Sequence, residues 1–298
     1  MRPRILLSPN LHGWCFERIA LQLQRHLSDE FDITIRLAGD AVEQGGDFDV
    51  AVALWWRNGR FLRRVARRLV LCVYDEQSWR PQPHQPAAVF QRELAAADVV
   101  AVASQRIAAL LPGAAVRVIE DGVDTESFVT LPLPETFTAG WAGDSAAGAG
   151  DTKGVGIIRR ACELAGVPLV VADRRVAPVP HEAMPAWYGG ISVYLCASVS
   201  EGTPNPVLEA LACGRPVIST DVGIVRRAVD DGVTGRIVDR HPEAIAAALV
   251  RLRGRDLAEM SRAARRAAEP WDWRHKAEAW RSCLRAALAV DERDRAAG

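Results

Sequence analysis

The chain reads as an α/β protein made of two doubly wound parallel sheets, and three features of the sequence predict this. First, short β-branched runs recur through the first 120 residues: "RILLS", "ITIRL", "VAVAL", "LVLCV", "VVAVA" and "VRVI". Each is apolar on both faces and alternates with amphipathic segments, the pattern of parallel strands covered by helices on both sides. Second, the proline-rich stretch "VTLPLPETFTAG", Val129 to Gly140, breaks the alternation, which restarts as "FTAGWA", "PLVVA", "SVYLC", "PVIS" and "RIV". Third, 298 residues are too many for one ordinary domain and enough for two separate cores. The expected domains are residues 1–130 and 137–270. The segments "PEAIAAALVRL", "DLAEMSRAARRAA" and "WDWRHKAEAWRSCLRAAL" that close the chain all carry helical spacing.

Composition excludes several classes. Lys and Arg total 37 and so do Asp and Glu, so bulk charge argues for neither nucleic acid nor an acidic substrate. Cysteines 15, 72, 162, 196, 213 and 283 are scattered without a C-x-x-C pair, which reads as reduced thiols and a cytoplasmic protein. The N-terminus "MRPRILLSPN" holds only a short apolar run, and no window approaches the roughly 20 apolar residues of a membrane span, so neither an export signal nor an anchor is read. Only Lys153 and Lys276 are lysines against many arginines, a bias that suggests a GC-rich, bacterial genome. "DFD", Asp47 to Asp49, precedes its strand and lies at the wrong sheet edge for a metal pair. No metal site is expected, and the six histidines are dispersed.

Ligands of doubly wound sheets bind beyond the carboxyl ends of the strands, and two such domains facing each other leave a central cleft. The loop "SVSEGTPN" follows the strand "SVYLC" at that edge. Asn205 suits a helix cap, Pro206 the first helical position and Gly214 the residue just past the end, so "PVLEALAC" predicts a two-turn helix. Its free N–H groups suit an anion such as phosphate. Glu201 before the cap and Glu209 a turn inside it then suit hydroxyl donors on either side of a diphosphate, a sugar at one end and a ribose at the other.

The stretch "EGTPNPVLEALACGRPVISTDVGIVRRAVDDGVTGRIV" resembles the donor-site signature of retaining GT-B glycosyltransferases of family 4, the E-x7-E group. "AADVVAVASQRIAALLPGAAVRVIEDGVDTESF" and "GWAG…KG" extend the resemblance over roughly the last two-thirds of the chain. The resemblance implies a GT-B fold of two Rossmann-like domains, with a final helix at about 271–290 crossing back onto the first domain. It implies that Glu201 contacts the transferred sugar, Glu209 holds the ribose and Lys153 neutralises the diphosphate. Gly202, Thr203, Pro204, Asn205 and Pro206 would supply loop contacts to the donor, a UDP- or GDP-linked sugar, with no further cofactor and no metal.

The sequence also departs from that family. Asp144 stands where an arginine is usual, followed by the insertion-like "SAAGAG". Gly148 and Gly150 could let backbone N–H groups approach the diphosphate, and Arg174 or Arg175, at the end of "PLVVA", could supply charge. In the first domain the loop "SPNLHGWC" keeps at best Gly13 of a glycine pair, and "VYDEQSW" places Tyr74 where many relatives carry a histidine, beside Asp75. Retaining transfer relies mainly on donor phosphate oxygens to take the acceptor proton, so the lost histidine does not abolish the mechanism.

Acceptor recognition is therefore assigned to the indoles at the carboxyl edge of the first sheet. Trp14 follows the first strand, Trp55 and Trp56 end the third and Trp79 lies after the fourth; Trp14 and Trp56 are singled out, beside Gly13, Tyr74 and Asp75. From Arg57 to Arg68, "RNGRFLRRVARR" carries six arginines and no acid. It reads as a basic helix that is either simply solvated or in peripheral contact with a membrane. The sequence reading is thus a retaining, metal-independent glycosyltransferase acting on a glycan, glycolipid or small molecule. The alternatives are a catalytically weak nucleotide-sugar-binding GT-B protein and, third, a nucleotide-sugar epimerase.

Overall fold

The computed structural model describes residues 1–76, 78–79, 87–146 and 151–290. The chain divides into two compact units, Met1–Asp121 with Trp273–Gly298, and Gly122–Asp272. Gly148 and Gly150 lie outside the described residues.

The first unit contains strands β1 (Arg4–Ser8), β2 (Asp32–Ile35), β3 (Phe48–Ala53), β4 (Ala66–Val73), β5 (Val99–Val102) and β6 (Val116–Val118). Interleaved are helices α1 (Cys15–Leu27), α2 (Ala38–Gln44), α3 (Gly59–Leu62), α4 (Ala87–Ala96) and α5 (Gln105–Ala109). The strand order is β2-β1-β3-β4-β5-β6, all parallel. Both faces of this sheet are apolar, as the sequence runs require. Ile5, Leu7, Val50, Val52, Val70 and Cys72 point into one core layer, and Leu6, Ala51, Ala53, Leu69, Leu71 and Val73 into the other. Ile19, Leu23 and Leu27 of α1 cover the first face, and Leu62, Phe90 and Ile107 the second.

The second unit contains β7 (Ala139–Gly143), β8 (Leu169–Asp173), β9 (Val193–Cys196), β10 (Val217–Ser219) and β11 (Gly235–Ile237). Its helices are α6 (Val155–Ala165), α7 (Met184–Gly189), α8 (Asn205–Ala212), α9 (Val225–Ala228), α10 (Pro242–Arg253) and α11 (Ala258–Ala268). The order β11-β10-β9-β7-β8 is again wholly parallel. Ile158 and Cys162 of α6 with Ile245 and Leu249 of α10 cover one face, and Val207, Leu208 and Leu211 of α8 sit in the core of the other.

The chain passes between units at Asp121–Gly122, upstream of the proline-rich stretch. Residues 122–128 belong to the second unit because Val123 N–H donates to Trp271 O (2.8 Å), Thr125 donates to the Asp272 carboxylate, and Arg265 donates to the carbonyls of Phe128 (2.7 Å) and Thr125 (3.0 Å). The final helix, α12 (Trp273–Leu288), packs in the first unit. Trp273, Trp280 and Leu284 are buried there with α1, and Arg281 and Arg285 pair with Glu30 at 2.8 and 2.7 Å.

Two local expectations are corrected. The Arg57–Arg68 segment is not one amphipathic helix: α3 spans four residues, and Ala66–Arg68 already belong to β4. Of its six arginines, Arg63 pairs with Asp98 (2.6 Å), Arg68 donates to the Val290 carbonyl, Arg57 lies against the rings of Trp55 and Trp56 and Arg67 pairs at the surface with Asp47 (3.0 Å), while Arg60 and Arg64 are exposed. The basic helix invoked for membrane contact therefore does not exist. In α8, Asn205 is the first helical residue and makes no side-chain cap, and Pro206 stands second; Gly214, at φ +69°, follows the helix end as predicted. None of the helices among the described residues is long and apolar enough to cross a membrane. All six cysteines are free thiols, and all but Cys15 are buried.

Candidate functional site

The strand order of the second sheet reverses between β7 and β9, and such a switch point opens a crevice at the carboxyl ends of its two strands. The connections leaving those strands carry the residues the sequence singled out. Lys153 lies between β7 and α6, and Glu201 lies between β9 and α8. They meet: Lys153 Nζ is 2.6 Å from Glu201 Oε1, with the lysine 28% and the glutamate 15% exposed. Ser198 Oγ donates to the same oxygen at 2.7 Å.

Backbone packing places this pair. Gly154 adopts φ +73°, and a Cβ there would sit 2.2 Å from the Ala197 carbonyl oxygen, so only glycine lets the loop approach the end of β9 this closely. Val199 N–H donates to Thr152 O (2.9 Å), and Arg240 bridges the two loops by donating to Ala197 O (2.8 Å) and to Asp151 O. On the other side, Gly223 of the "DVG" turn abuts Gly202, where a Cβ would lie 2.0 Å from the Gly202 oxygen, and Ile224 N–H donates to that same oxygen at 3.1 Å. Gly202, Thr203 and Pro204 are consequently buried, while Asn205 and Pro206 are half-buried.

Glu209 sits on the second turn of α8 and is 9% exposed. Its Oε2 accepts from the hydroxyl of Tyr188 on α7 at 2.8 Å. Nothing in the spacing of the sequence pointed to Tyr188; the contact arises because α7 and α8 pack on the same face of the sheet.

Asp144, at the end of β7, is 4% exposed, and it gathers both arginines that end β8. Arg175 Nε lies 2.8 Å from its Oδ1 and Arg174 Nη1 3.3 Å from its Oδ2. Both arginines stay largely exposed beyond this contact. Asp173 beside them is pushed upward by burial. The Ser145 hydroxyl, the Arg175 and Ser145 N–H groups and the charge of Arg159 together outweigh this and hold it below the usual carboxylate range.

In the first unit the strand order reverses between β1 and β3. Gly13, at φ +67°, and Trp14, half-buried at the start of α1, follow β1, and Glu17 accepts from the Gly13 N–H (2.5 Å) and contacts His12 Nδ1 (2.5 Å). The His12 hydrogen bond and the Gly13 N–H hold Glu17 below its usual range against the opposing effect of burial. Asp75 accepts from Ser78 N–H at 2.7 Å.

One of the acceptor assignments, Trp56, is corrected by its burial. Trp56 is 1% exposed, edge-on to Phe90 at 5.1 Å with its N–H given to Ser78 Oγ (3.1 Å), so it is a core residue. Tyr74 packs its ring against Phe16 (4.7 Å) and has its hydroxyl enclosed; burial, then the nearby Asp121, push that phenol well above its usual range. Trp56 thus has no surface to present to a ligand, whereas Tyr74 is half-buried with only its hydroxyl enclosed. Trp79 stacks on Phe90 at 5.0 Å, which leaves Trp14 and Trp55 as the half-buried indoles at this edge that are not stacked on Phe90. Among the described residues no cluster of His, Cys, Asp and Glu could hold a metal ion. Asp47 pairs with Arg67, and Asp49 accepts from Arg4 N–H (2.8 Å).

Two parallel α/β units of this order define the GT-B architecture, and solved structures share it. The sucrose-phosphate synthase of Thermosynechococcus elongatus aligns with a TM-score of 0.78 at 16% identity, over 98% of this chain and 100% of that one. The Anabaena protein HepE, solved with UDP-glucose, aligns at 0.72 and 15% identity, over 95% and 99%. Residues 148–254, which contain Lys153, Glu201 and Glu209, match the family model of glycosyl transferases group 1. The D-inositol 3-phosphate glycosyltransferase of Streptomyces griseus subsp. griseus is 38% identical over 152 residues, 50% of this chain and 31% of that protein. The chain spans less than a third of the length of the curated relatives it matches.

Proposed function

We propose that the protein is a glycosyltransferase that moves a sugar, with retention, from a nucleoside diphosphate sugar to a glycan, glycolipid or small-molecule acceptor. The carrying observation is the 2.6 Å Lys153–Glu201 pair at the switch point of the second sheet, with Glu209 on the helix that follows, all within the matched domain. In this reading Glu209 accepts from the ribose, Glu201 from the transferred sugar, and Lys153 turns from Glu201 to the diphosphate as the donor arrives. The bond from C1 to the β-phosphate oxygen breaks while the acceptor oxygen bonds to C1 on the same face. The acceptor proton passes to a donor phosphate oxygen, and Lys153, with Arg174 and Arg175 on their Asp144 anchor, offsets the charge left on the diphosphate. No metal and no cofactor besides the donor enters this scheme. Gly13, Trp14, Tyr74 and Asp75 are the acceptor-side candidates, and the free thiols fit a cytoplasmic setting.

One observation favours a second reading, a weakly catalytic nucleotide-sugar-binding protein. Lys153, Arg174 and Arg175 each already face a carboxylate, so less positive charge is at hand for a leaving group. A thermal-shift panel of UDP-, GDP-, ADP- and TDP-sugars, followed by turnover of the stabilising donor with an acceptor library, separates the two. Stabilisation by one base with sugar transfer supports the enzyme. Stabilisation without transfer or hydrolysis supports the binding protein, release of an epimerised donor without acceptor supports an epimerase, and no stabilisation by any donor overturns the donor site itself.

A further inference from the structure

Burying a carboxylate that is 9% exposed is costly unless hydrogen bonds compensate, and α7 supplies one from beneath the site. The Tyr188 hydroxyl lies 2.8 Å from Glu209 Oε2 and 3.3 Å from the carbonyl of Pro206 in the first turn of α8. Its ring is fully enclosed, edge-on to Trp187 at 5.0 Å and to Phe128 and Tyr194 at 6.0 Å each, so the hydroxyl is fixed from behind. At 0% exposure Tyr188 has no surface with which to touch a nucleotide.

We propose that Tyr188 is a positioning residue that locks the Glu209 carboxylate in the orientation that accepts from both vicinal hydroxyls of a ribose, and so sets the preference for ribo- over 2′-deoxyribonucleotides. This rests on the reading of Glu209 as the ribose acceptor. A phenol donating to a carboxylate is a charge-assisted bond that fixes the Glu209 rotamer. Burial, then the Glu209 charge, push the Tyr188 phenol well above its usual range, so it remains a donor throughout the working pH. A carboxylate held rigidly toward a diol rejects a sugar lacking one hydroxyl, because the vacated acceptor stays buried and unpaired. A carboxylate free to turn away loses that discrimination.

The test is isothermal titration of the full chain with UDP and 2′-deoxy-UDP, and with the GDP pair, for the parent, Tyr188→Phe, Glu209→Gln and the double variant. The parent favours the ribonucleotide. Tyr188→Phe lowers ribonucleotide affinity about tenfold, barely changes the deoxy ligand, and shrinks the ratio toward that of Glu209→Gln. The double variant shows no further loss of ratio, whereas a merely structural role weakens both ligands equally and adds to the Glu209 effect. Tyr188→Met, with the same expectation, serves if the Phe variant melts early. If Glu209→Gln abolishes the preference but both Tyr188 variants keep it, the positioning role is wrong. If Glu209→Gln leaves the preference intact, or no nucleotide binds the parent, the ribose reading itself falls.

Discussion

Gly154 shows how one residue without a side chain places one with a charge. At φ +73° and against the Ala197 oxygen, it lets Lys153 reach Glu201 across the switch point. Gly154→Ala combines a disfavoured backbone region with a clash against backbone, so we expect a loss on the order of 3 kcal/mol of stability in the second unit. Donor binding should fail even where the variant still folds; denaturant unfolding monitored alongside nucleotide titration checks both. A Gly154→Ala variant as stable as the parent with normal donor affinity would show that the close approach is dispensable. Asp144 carries a related lesson. Standing where the family that the chain resembles usually has an arginine, it is a buried anchor for Arg174 and Arg175, a pairing that sequence alone does not show because β7 and β8 become neighbours only in the sheet.

At the scale of elements, the apolar runs of the sequence correspond to β1 to β11; the central strands such as β1, β3, β4 and β9 are apolar on both faces and therefore visible without their partners, while the edge strands β2, β6 and β11 carry Thr34, Arg117 and Arg236. What escaped the sequence depends on contacts across elements. Trp56 meets Phe90 of α4, Tyr188 meets Glu209 twenty-one positions on, and the arginines of 57–68 find Asp47 and Asp98 around the amino ends of β3, β4 and β5. That Lys153 and Glu201 lie in loops leaving strands was legible from the alternation of runs, whereas the role given to Lys153 came only from the family resemblance, and their 2.6 Å meeting came only from the fold. The segment leaving β6 adds a pH dependence. Asp121 is pushed from 3.8 up to about 8, first by burial and then by the Glu120 charge, against the opposing effect of Lys276. The folded chain holds this proton while the unfolded chain releases it near 3.8, so the stabilising contribution is full below that value and is lost as pH rises to about 8. The decline is at most about 1.4 kcal/mol per pH unit. Asp121→Asn should flatten the fall of the melting temperature between pH 5 and pH 8; a variant with the parent's slope would place the titrating group elsewhere.

For the molecule as a whole, each unit has its own core, and the chain passes between them at Asp121–Gly122 and at Asp272–Trp273. The formal charge is zero, so on the proposed reading an anionic donor would be held by local cations and not by a global field. On the proposed reading, two glutamates of the second unit divide the donor between them, and comparing the binding of free nucleotide with the use of the nucleotide sugar separates their roles. Titrating UDP and GDP into the parent, Glu201→Gln and Glu209→Gln, and following sugar transfer by each, should separate the two residues. Glu209→Gln should weaken free nucleoside diphosphate about tenfold or more through the lost ribose contact. Glu201→Gln should leave that affinity unchanged or tighter, since Lys153 is released from its 2.6 Å pair, yet stop sugar transfer. Equal losses of free-nucleotide affinity in both variants, or full transfer by Glu201→Gln, would show that the two glutamates do not divide the donor in this way.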